Sequence, residues 1–404
     1  MKSIFYKYVE FVRQPDVGRM LLAALLSRMP VGMMGFGMLM FLRETLGNFA
    51  QAGSAVGIEF VAAAIAAPIV GRIVDRDGPR RVLYVTGIIQ PLALVGILVT
   101  AKMGLGFAAV TAFAVVAGAF STPITTLTRT MWRHRFDREE DRRTAFALDS
   151  VAIEINFTLG PSIMAAVLAA SGATAAFVVV IVAVVLAFFT FLGSPALRFL
   201  KKVEGGGKRH LLGPLTDGRL RLIFLCTFGL TMSLGLLEVG YPAYGISAGA
   251  AAMGGLLLGV NSIGSAVGGA IYGGLHFRMP IERQFASAVG LMAVGLALHT
   301  VAMPATAAFF VVAFLAGMLI APSIASQSVL VSRLAPVHYV TEAFTWGSMC
   351  IISGIGAGIA LGGALVESAG LLPVFAASGA IAGATALVAL SIRAPHPEPA
   401  FEKA

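Results

Sequence analysis

The chain has 404 residues, of which 58% are hydrophobic and only 12% are charged. Soluble globular proteins carry about 25% charged residues, so this composition excludes an ordinary soluble domain. The net charge is +9, yet the sequence contains no nucleotide-binding loop and no close pair of metal ligands. Apolar runs of about 20 residues recur instead, and a helix of that length spans a bilayer.

These runs predict an all-α polytopic membrane protein with twelve transmembrane helices. Because the runs are continuous rather than alternating, they do not predict the strands of a barrel. The first run is too long for a secretory signal, and we interpret it as retained. In chain order the runs cover residues 20–42, 48–71, 81–101, 105–128, 144–169, 173–193, 220–245, 250–275, 284–302, 305–332, 342–367 and 371–392.

The basic residues predict the orientation of these helices. With the N-terminus inside, every Lys and Arg except Arg28, Arg43 and Lys102 falls on the cytoplasmic side. The positive-inside rule then places both termini in the cytoplasm. Each basic cluster adjoins a helix end, so we predict the lipid bilayer as partner and no nucleic acid. An excess of Arg over Lys, with abundant Ala and Gly, favours a GC-rich bacterium and its cytoplasmic (inner) membrane.

Two stretches repeat along the chain. AGAFSTP (117–123) in the fourth run corresponds to AGMLIAP (316–322) in the tenth, at an offset of 199. The fifth and eleventh runs align at an offset of 198, and the second and eighth at 202, which pairs Gly57 with Gly259. We therefore predict two parallel six-helix halves, with a pseudo-two-fold axis along the membrane normal and a site between them near the midplane.

The repeat also sets the predicted domain boundaries. A first six-helix bundle covers residues 1–193, and a basic, glycine-bearing cytoplasmic linker covers 194–219. A second bundle covers 220–392, and a cytoplasmic tail covers 393–404.

The loop after the second run reads GRIVDRDGPRRVL (71–83). We expect its first glycine to let the second helix approach a neighbour closely, and its Gly-Pro pair to form a tight turn. Its first acid lies among several Arg residues and can accept charge-assisted hydrogen bonds. The residues that carry this pattern are Gly71, Asp75, Arg76, Gly78, Arg80 and Arg81.

Those six residues resemble, position for position, the conserved loop signature of the major facilitator superfamily. The resemblance implies a twelve-helix secondary transporter, not an enzyme, without a cofactor. It also implies that the loop is a latch between the halves on the cytoplasmic side. The symmetric loop, GGLHFRMPIER (273–283), has Phe277 at the position of Asp75, so the latch is expected in the first copy alone.

A second resemblance lies in the fifth run. NFTLGP (156–161) is similar to the Gly-x-x-x-Gly-Pro motif of proton-driven drug exporters in this superfamily: Gly160 and Pro161 match, and Asn156 replaces the first glycine. The eleventh run carries Gly354, Gly358 and Gly362 on one helical face. Glycines at this spacing also allow two helices to pack closely without any further function. The sequence therefore leaves open whether these glycines form an exporter motif or only a packing surface.

Five charged residues lie within the predicted helices: Arg28, Glu59, Asp149, Glu154 and Glu238. Charges inside a membrane cost several kcal/mol unless they are paired or face water, so such residues are functional candidates. Helical rise places Arg28, Glu59 and Glu154 in one layer near the midplane.

The fifth run presents two polar sides. Asp149, Asn156 and Gly160 share one side, whereas Glu154 lies about 140° away from Asp149. We hypothesise that Glu154 or Glu59 carries a proton, with Arg28 as its partner or as an anion contact, and that Asp149 serves the gate. The alternative is a static buried ion pair that holds the first, second and fifth helices in register.

Candidate substrate contacts lie on the first and seventh runs. RMPVGMMGFGMLMF (28–41) offers an adaptable surface of Met and Phe, and LLEVGYPAYG (236–245) contributes Glu238, Tyr241 and Tyr244. Glu238 favours a cationic substrate and Arg28 an anionic one, so the sequence leaves the charge of the substrate open.

These features predict proton-coupled export of small apolar or amphipathic molecules by alternating access, in a protein that functions as a monomer with protons and a small molecule as ligands. Proton-coupled uptake of a small organic anion is the alternative, and a membrane sensor or enzyme is a distant third. Cys226 and Cys350 are interpreted as small packing residues. The six histidines, His299 among them, form no ligand pair and are interpreted as solvated loop residues.

Overall fold

The computed structural model describes residues 10–136, 138–199, 213–275, 277–336 and 340–392. The middle of the predicted linker (200–212) and the predicted tail (393–404) lie outside these ranges. Within them, the backbone alone is described for Asp75, Thr125, Thr126, Arg129, Arg133, His134, Glu139, Glu140, Arg143, Ala147, Ser150, Glu154, Ala196, Val340 and Thr341.

The described chain is almost entirely helical, as its continuous apolar runs predict. The helices are α1 (Val17–Leu46), α2 (Phe49–Asp77), α3 (Pro79–Lys102), α4 (Gly106–Ala119), α5 (Ile124–Arg135), α6 (Glu139–Leu192), α7 (Gly218–Ser247), α8 (Met253–Gly274), α9 (Ile281–Ala302), α10 (Thr306–Gly317), α11 (Ile320–Leu334), α12 (Val340–Ala369) and α13 (Leu371–Ala389). Each of the twelve predicted runs overlaps at least one of them.

The helix count depends on how three interruptions are treated. Within the described residues, ten helical segments are long and apolar enough to cross a membrane, and α4 is a shorter apolar helix. The long helix α6 contains the fifth and sixth runs, which meet at Gly172 with φ 83°. That left-handed backbone is accessible to glycine and breaks the helix there.

The fourth and tenth runs, which the sequence predicts as unbroken helices, are each divided in two. The first break separates α4 from α5 at residues 120–123, and the second separates α10 from α11 at residues 318–319. Both fall within the repeated Ala-Gly-x-x-x-x-Pro motif. Proline lacks a backbone N–H and crowds the preceding turn, so it disfavours a continuous helix.

The side chain of Gln90 accepts a hydrogen bond from a backbone N–H group that the first break leaves without a partner in its own helix. The Gln90 Oε1 of α3 accepts hydrogen bonds from Thr122 N at 3.1 Å and from Thr122 Oγ1 at 3.2 Å. Breaks at membrane depth are tolerated where such partners exist. The repeated motif thus coincides with a full break in the fourth run and with a milder interruption in the tenth, where Met318 and Leu319 keep right-handed helical backbone angles.

The helices form two groups. α1–α6 pack mainly on one another, and so do α7–α13; we refer to them as the first and second halves. The most extensive contact between halves is that of α2 with α12, where a Cβ on Gly57 would meet the carbonyl of Gly356 and one on Gly363 would meet that of Phe49. Small residues of this kind allow two helices in a membrane to pack backbone to backbone.

A second contact joins α6 to α8. A Cβ on Gly255 would lie 2.6 Å from the Pro161 carbonyl oxygen, and Ser262 Oγ donates to the Phe157 carbonyl at 3.0 Å. The two contacts are related by the internal repeat, because α8 corresponds to α2 and α12 corresponds to the first part of α6.

Both contacts lie toward the same end of the molecule. Phe49 N, at the start of α2, donates to Glu367 Oε2 near the end of α12 at 3.1 Å. Toward the opposite ends of α2 and α8, Gly71 and Gly273 have no atom within 4 Å of an added Cβ. In the described residues, the close glycine contacts between the halves therefore lie away from the end at which α1 begins.

Candidate transport site

An ion pair between Arg28 of α1 and Asp149 of α6 lies inside the first half. Arg28 Nη1 lies 2.6 Å from Asp149 Oδ1, and Arg28 Nη2 lies 3.2 Å from Oδ2. Each residue is 2% exposed. Two-point Arg–carboxylate hydrogen bonding is strong and directional, so the pair compensates two charges that would be costly if buried alone.

Trp132 of α5 completes this cluster. Its indole Nε1–H donates to Asp149 Oδ1 at 3.2 Å, and Trp132 is 1% exposed. The break at residues 120–123 makes α5 a helix separate from α4. Trp132 is not predictable as a site residue from the sequence, because nothing in its local pattern indicates a distant partner.

The side of α6 that carries Asp149 faces α1 over several turns. Asn156 Nδ2 donates to the Leu25 carbonyl at 3.2 Å, and a Cβ on Gly160 would lie 2.6 Å from the Gly32 carbonyl carbon. Gly32 in turn packs against the carbonyl of Asn156. Helix α1 thus supplies a glycine opposite the motif position at which Asn156 replaces one.

Glu59 of α2 is buried differently. It is 5% exposed, and among the described side chains none forms a hydrogen bond or ion pair with its carboxylate. Its backbone carbonyl lies against Gly118 at the end of α4. Glu59 is therefore an acid without a described partner, two residues from the Gly57 contact between the halves.

The second half has an amide at the equivalent place. The offset of 202 relates Glu59 to Asn261, whose carbonyl lies against Gly317 at the end of α10 just as that of Glu59 lies against Gly118. Asn261 Nδ2 donates to the Ala313 carbonyl at 2.9 Å. The two halves thus repeat one backbone arrangement with a titratable side chain in the first and a neutral one in the second.

Glu154, the other predicted proton carrier, is described by its backbone within α6, and its side chain lies outside the described atoms. Arg28, which the sequence hypothesis pairs with Glu59 or Glu154, has Asp149 as its described ionic partner. The described cluster near the start of α6 is thus Arg28, Asp149 and Trp132.

Glu238 of α7 lies at the junction of the two halves. It is partly exposed, and a Cβ on Gly35 of α1 would lie 3.4 Å from its Oε2 and 3.9 Å from Cζ of Phe60 on α2. In the described side chains, no cation or hydrogen-bond donor accompanies its carboxylate. Three helices from both halves therefore converge on this acid.

The two tyrosines predicted to contact substrate are instead packed inside the second half. Tyr241 is fully buried, and its Oη lies 3.0 Å from His299 Nε2. Tyr244 is 5% exposed, and its Oη donates to the Met303 carbonyl at 3.1 Å. Their hydroxyl groups are used to join α7 to the end of α9.

The interpretation of His299 as a solvated loop residue is wrong. His299 lies in α9 with 0% exposure, and its Nδ1 lies 3.0 Å from the Gly295 carbonyl oxygen. Its ring stacks on Phe375 with centroids 5.3 Å apart. A donating Nδ1–H leaves Nε2 to accept from Tyr241, so the imidazole is fully hydrogen-bonded within an aromatic cluster.

The signature loop forms the tight turn that its Gly-Pro pair predicts. Gly78 has φ 86° between the end of α2 and Pro79 at the start of α3, a left-handed conformation that favours glycine. The expectation for Gly71 is wrong in this conformation, because an added Cβ there would meet open space rather than a neighbouring helix.

Among the described side chains of this loop, Asp77 pairs with Arg76 and Arg81. Arg76 Nε donates to Asp77 Oδ1 at 2.8 Å and Arg76 Nη2 to Oδ2 at 3.1 Å, while Arg81 Nη1 lies 3.9 Å from Oδ2. The hydrogen bonds to Asp77 and its negative charge raise the pKa of Arg76. Arg80 is exposed, and the side chain of Asp75 lies outside the described atoms.

The glycine row of the eleventh run packs against α7. Cβ atoms on Gly354, Gly358 and Gly362 would meet Thr231, the Met232 carbonyl and Val239 in turn. This row therefore holds two helices of the second half together. The neighbouring face of α12, with Gly356 and Gly363, makes the contact with α2.

The architecture is that of a polytopic helical secondary transporter, with two similar halves, a buried ion pair inside the first half and the acid Glu238 where the halves meet. The model of the Major Facilitator Superfamily matches residues 20–350, and the chain belongs to that superfamily. No curated protein sequence matches the chain.

Two solved structures share this fold. The nucleoside transporter NupG, crystallised as a point mutant, aligns with a TM-score of 0.76 and 14% identity over 93% of this chain and 98% of its own. A bacterial homologue of the iron transporter ferroportin in an inward-facing state aligns with a TM-score of 0.72 and 18% identity, over 92% of this chain and 97% of its own. At these identities the likeness concerns the fold.

Proposed function

We propose that this protein is a proton-coupled exporter of small apolar or amphipathic molecules. It works by alternating access in a bacterial cytoplasmic membrane, as a monomer with both termini in the cytoplasm. The observation that carries the proposal is the one-sided contact between the halves, together with Glu59, a buried acid without a described partner on α2, the helix that makes this contact.

The one-sided contact supports alternating access. The α2–α12 and α6–α8 contacts lie at the end away from the start of α1, which is the periplasmic end in the proposed orientation. Transport then requires these glycine contacts to separate while the cytoplasmic ends approach. Rocking of this kind between two similar halves is the general mechanism of transporters built from repeats.

The position of Glu59 supports proton coupling. A charged carboxylate held in the membrane interior without a counter-ion costs several kcal/mol, so binding a proton is favoured there. Glu59 lies about 200° around α2 from Gly57, and its backbone carbonyl packs on Gly118 of α4. The movement of α2 that separates the halves would therefore change its packing on α4 and, with it, the access of Glu59 to water. One movement thereby alternates proton uptake and release.

The alternative of organic-anion uptake centred on Arg28 is less well supported. Arg28 is 2% exposed and forms its two-point ion pair with Asp149. An incoming anion would have to displace that carboxylate, leaving Asp149 buried without its cation, which is strongly unfavourable. The export direction itself rests on the resemblance of Gly160 and Pro161 to the exporter motif.

Everted membrane vesicles with an acidic lumen test this proposal. A lipophilic fluorescent dye should accumulate in the lumen with simultaneous loss of luminal protons. Glu59→Gln should abolish the proton dependence, while Glu282→Gln, a matched change at the start of α9 outside the site, should retain it. Accumulation solely in right-side-out vesicles would establish uptake instead, and unchanged coupling in Glu59→Gln would remove Glu59 as carrier.

A further inference from the structure

We infer that Glu238, with Phe60 and the space above Gly35, forms the binding site for a cationic group of the transported molecule. The expected ligand class is an organic monocation, a protonated amine or a quaternary onium ion, with apolar substituents. This inference rests on the proposed transport function and adds the charge of the substrate to it.

The first support is the charge balance of the interior. Arg28 and Asp149 neutralise each other at 2.6 Å. Among the described side chains, Glu59 and Glu238 remain as interior acids, one from each half, without a cation beside them. With Glu59 assigned to the proton, Glu238 is, among the interior acids whose side chains are described, the one left for a positive charge on the substrate.

The second support is the local geometry. Glu238 Oε2 and Phe60 Cζ lie 3.4 Å and 3.9 Å from one point, the position of a Cβ on Gly35. A carboxylate and an aromatic ring that flank the same small space are the two groups that recognise organic cations, by charge and by cation–π attraction. Both side chains are partly exposed, so a ligand can reach this space.

The third support is the position of these groups in the transport cycle. Gly35 and Phe60 belong to the first half and Glu238 to the second, and the α2–α12 glycine contact involves Gly356 packed on Cβ of Phe60. Separation of the halves therefore pulls Phe60 and Gly35 away from Glu238. A bound cation would be held by both halves in the present conformation and released by their separation.

Gly35 has a specific part in this site. At 3.4 Å from Glu238 Oε2, a methyl group on Gly35 would make an ordinary van der Waals contact. A longer side chain would occupy the space between Glu238 and Phe60. The absence of a side chain at position 35 is thus what leaves room for the cationic group.

Equilibrium binding to the purified full-length protein in detergent tests the inference without any gradient. The probes are tetraphenylphosphonium and tetraphenylborate, ions of nearly equal shape and opposite charge. The expected result is preferential binding of the cation, weakened about tenfold or more by Glu238→Gln and unchanged by Glu282→Gln. Equal binding of both ions, or full cation binding by Glu238→Gln, would overturn the inference.

Substitutions at Gly35 give an independent measurement. Gly35→Ala should weaken tetraphenylphosphonium binding, because its methyl group would lie in the space beside Glu238 and Phe60, and Gly35→Leu should lose binding. Thermal melting of each variant checks its folding, and if Gly35→Leu does not fold, Glu238→Gln and Phe60→Leu still decide the matter. Glu59→Gln should keep cation binding while losing proton coupling, so a failure of either proposal is distinguishable from a failure of the other.

Discussion

The carboxylate of Asp149 accepts from both Arg28, at 2.6 Å and 3.2 Å, and Trp132, at 3.2 Å, so three helices of the first half meet at one buried acid. Removal of one member of a buried ion pair leaves an uncompensated charge and typically costs about 3–5 kcal/mol. Arg28→Met and Asp149→Asn should therefore each lower the melting temperature strongly in detergent.

The double variant Arg28→Met/Asp149→Leu is the control for that prediction. Replacing a buried pair by apolar residues of similar volume is often neutral, so it should melt well above either single variant. If the double variant is as unstable as the single variants, the prediction is wrong. The ion pair itself then stabilises the first half, and the instability of the single variants does not come from an unpaired buried charge.

The Tyr241–His299 contact should stabilise the junction of α7 and α9. Tyr241→Phe removes the hydroxyl that lies 3.0 Å from His299 Nε2 and leaves that nitrogen buried without its partner, at a cost of about 1–3 kcal/mol. Melting of the purified protein measures the loss. Ser247→Ala, which removes a part-buried hydrogen bond to the Tyr244 carbonyl, should have a smaller effect; equal effects would contradict the prediction.

The break between α4 and α5 should depend on Gln90. Gln90→Leu leaves the Thr122 N–H without its acceptor at 3.1 Å, which should destabilise the protein by about 1–3 kcal/mol. Thr86→Val, which removes a buried hydroxyl that donates within α3 to the Val82 carbonyl, leaves no backbone N–H without its acceptor and should be the milder change in thermal melting. A Gln90→Leu variant as stable as the wild type would mean that the break needs no side-chain partner.

The contact of Gly57 with Gly356 should control closure at the end away from the start of α1. A side chain on Gly57 would overlap the Gly356 carbonyl, whereas one on Gly71 would meet open space. Gly57→Val should therefore lengthen the distance between spin labels at positions 51 and 368, in a Cys226→Ser/Cys350→Ser background. Gly71→Val should leave that distance unchanged, and a shift in both variants or in neither would refute the assignment.

The extent of the helices and the superfamily were predictable from local sequence. Apolar runs of bilayer length require helices because lipid offers backbone groups no other partners, and each run overlaps a helix. The turn at Gly78 followed from its Gly-Pro pair in the same way. The breaks did not follow, because an Ala-Gly-x-x-x-x-Pro motif is compatible with a kinked helix until neighbours such as Gln90 satisfy the exposed backbone.

The sequence by itself determined which residues are charged within the membrane and which side of α6 carries Asp149, Asn156 and Gly160, since composition and helical period are local properties. Only the tertiary structure decided that Arg28 pairs with Asp149, that Trp132 joins them, and that Glu59 and Glu238 lack a described counter-ion. Partner choice depends on how helices distant in the chain cross, and one sequence contains no local signal for that.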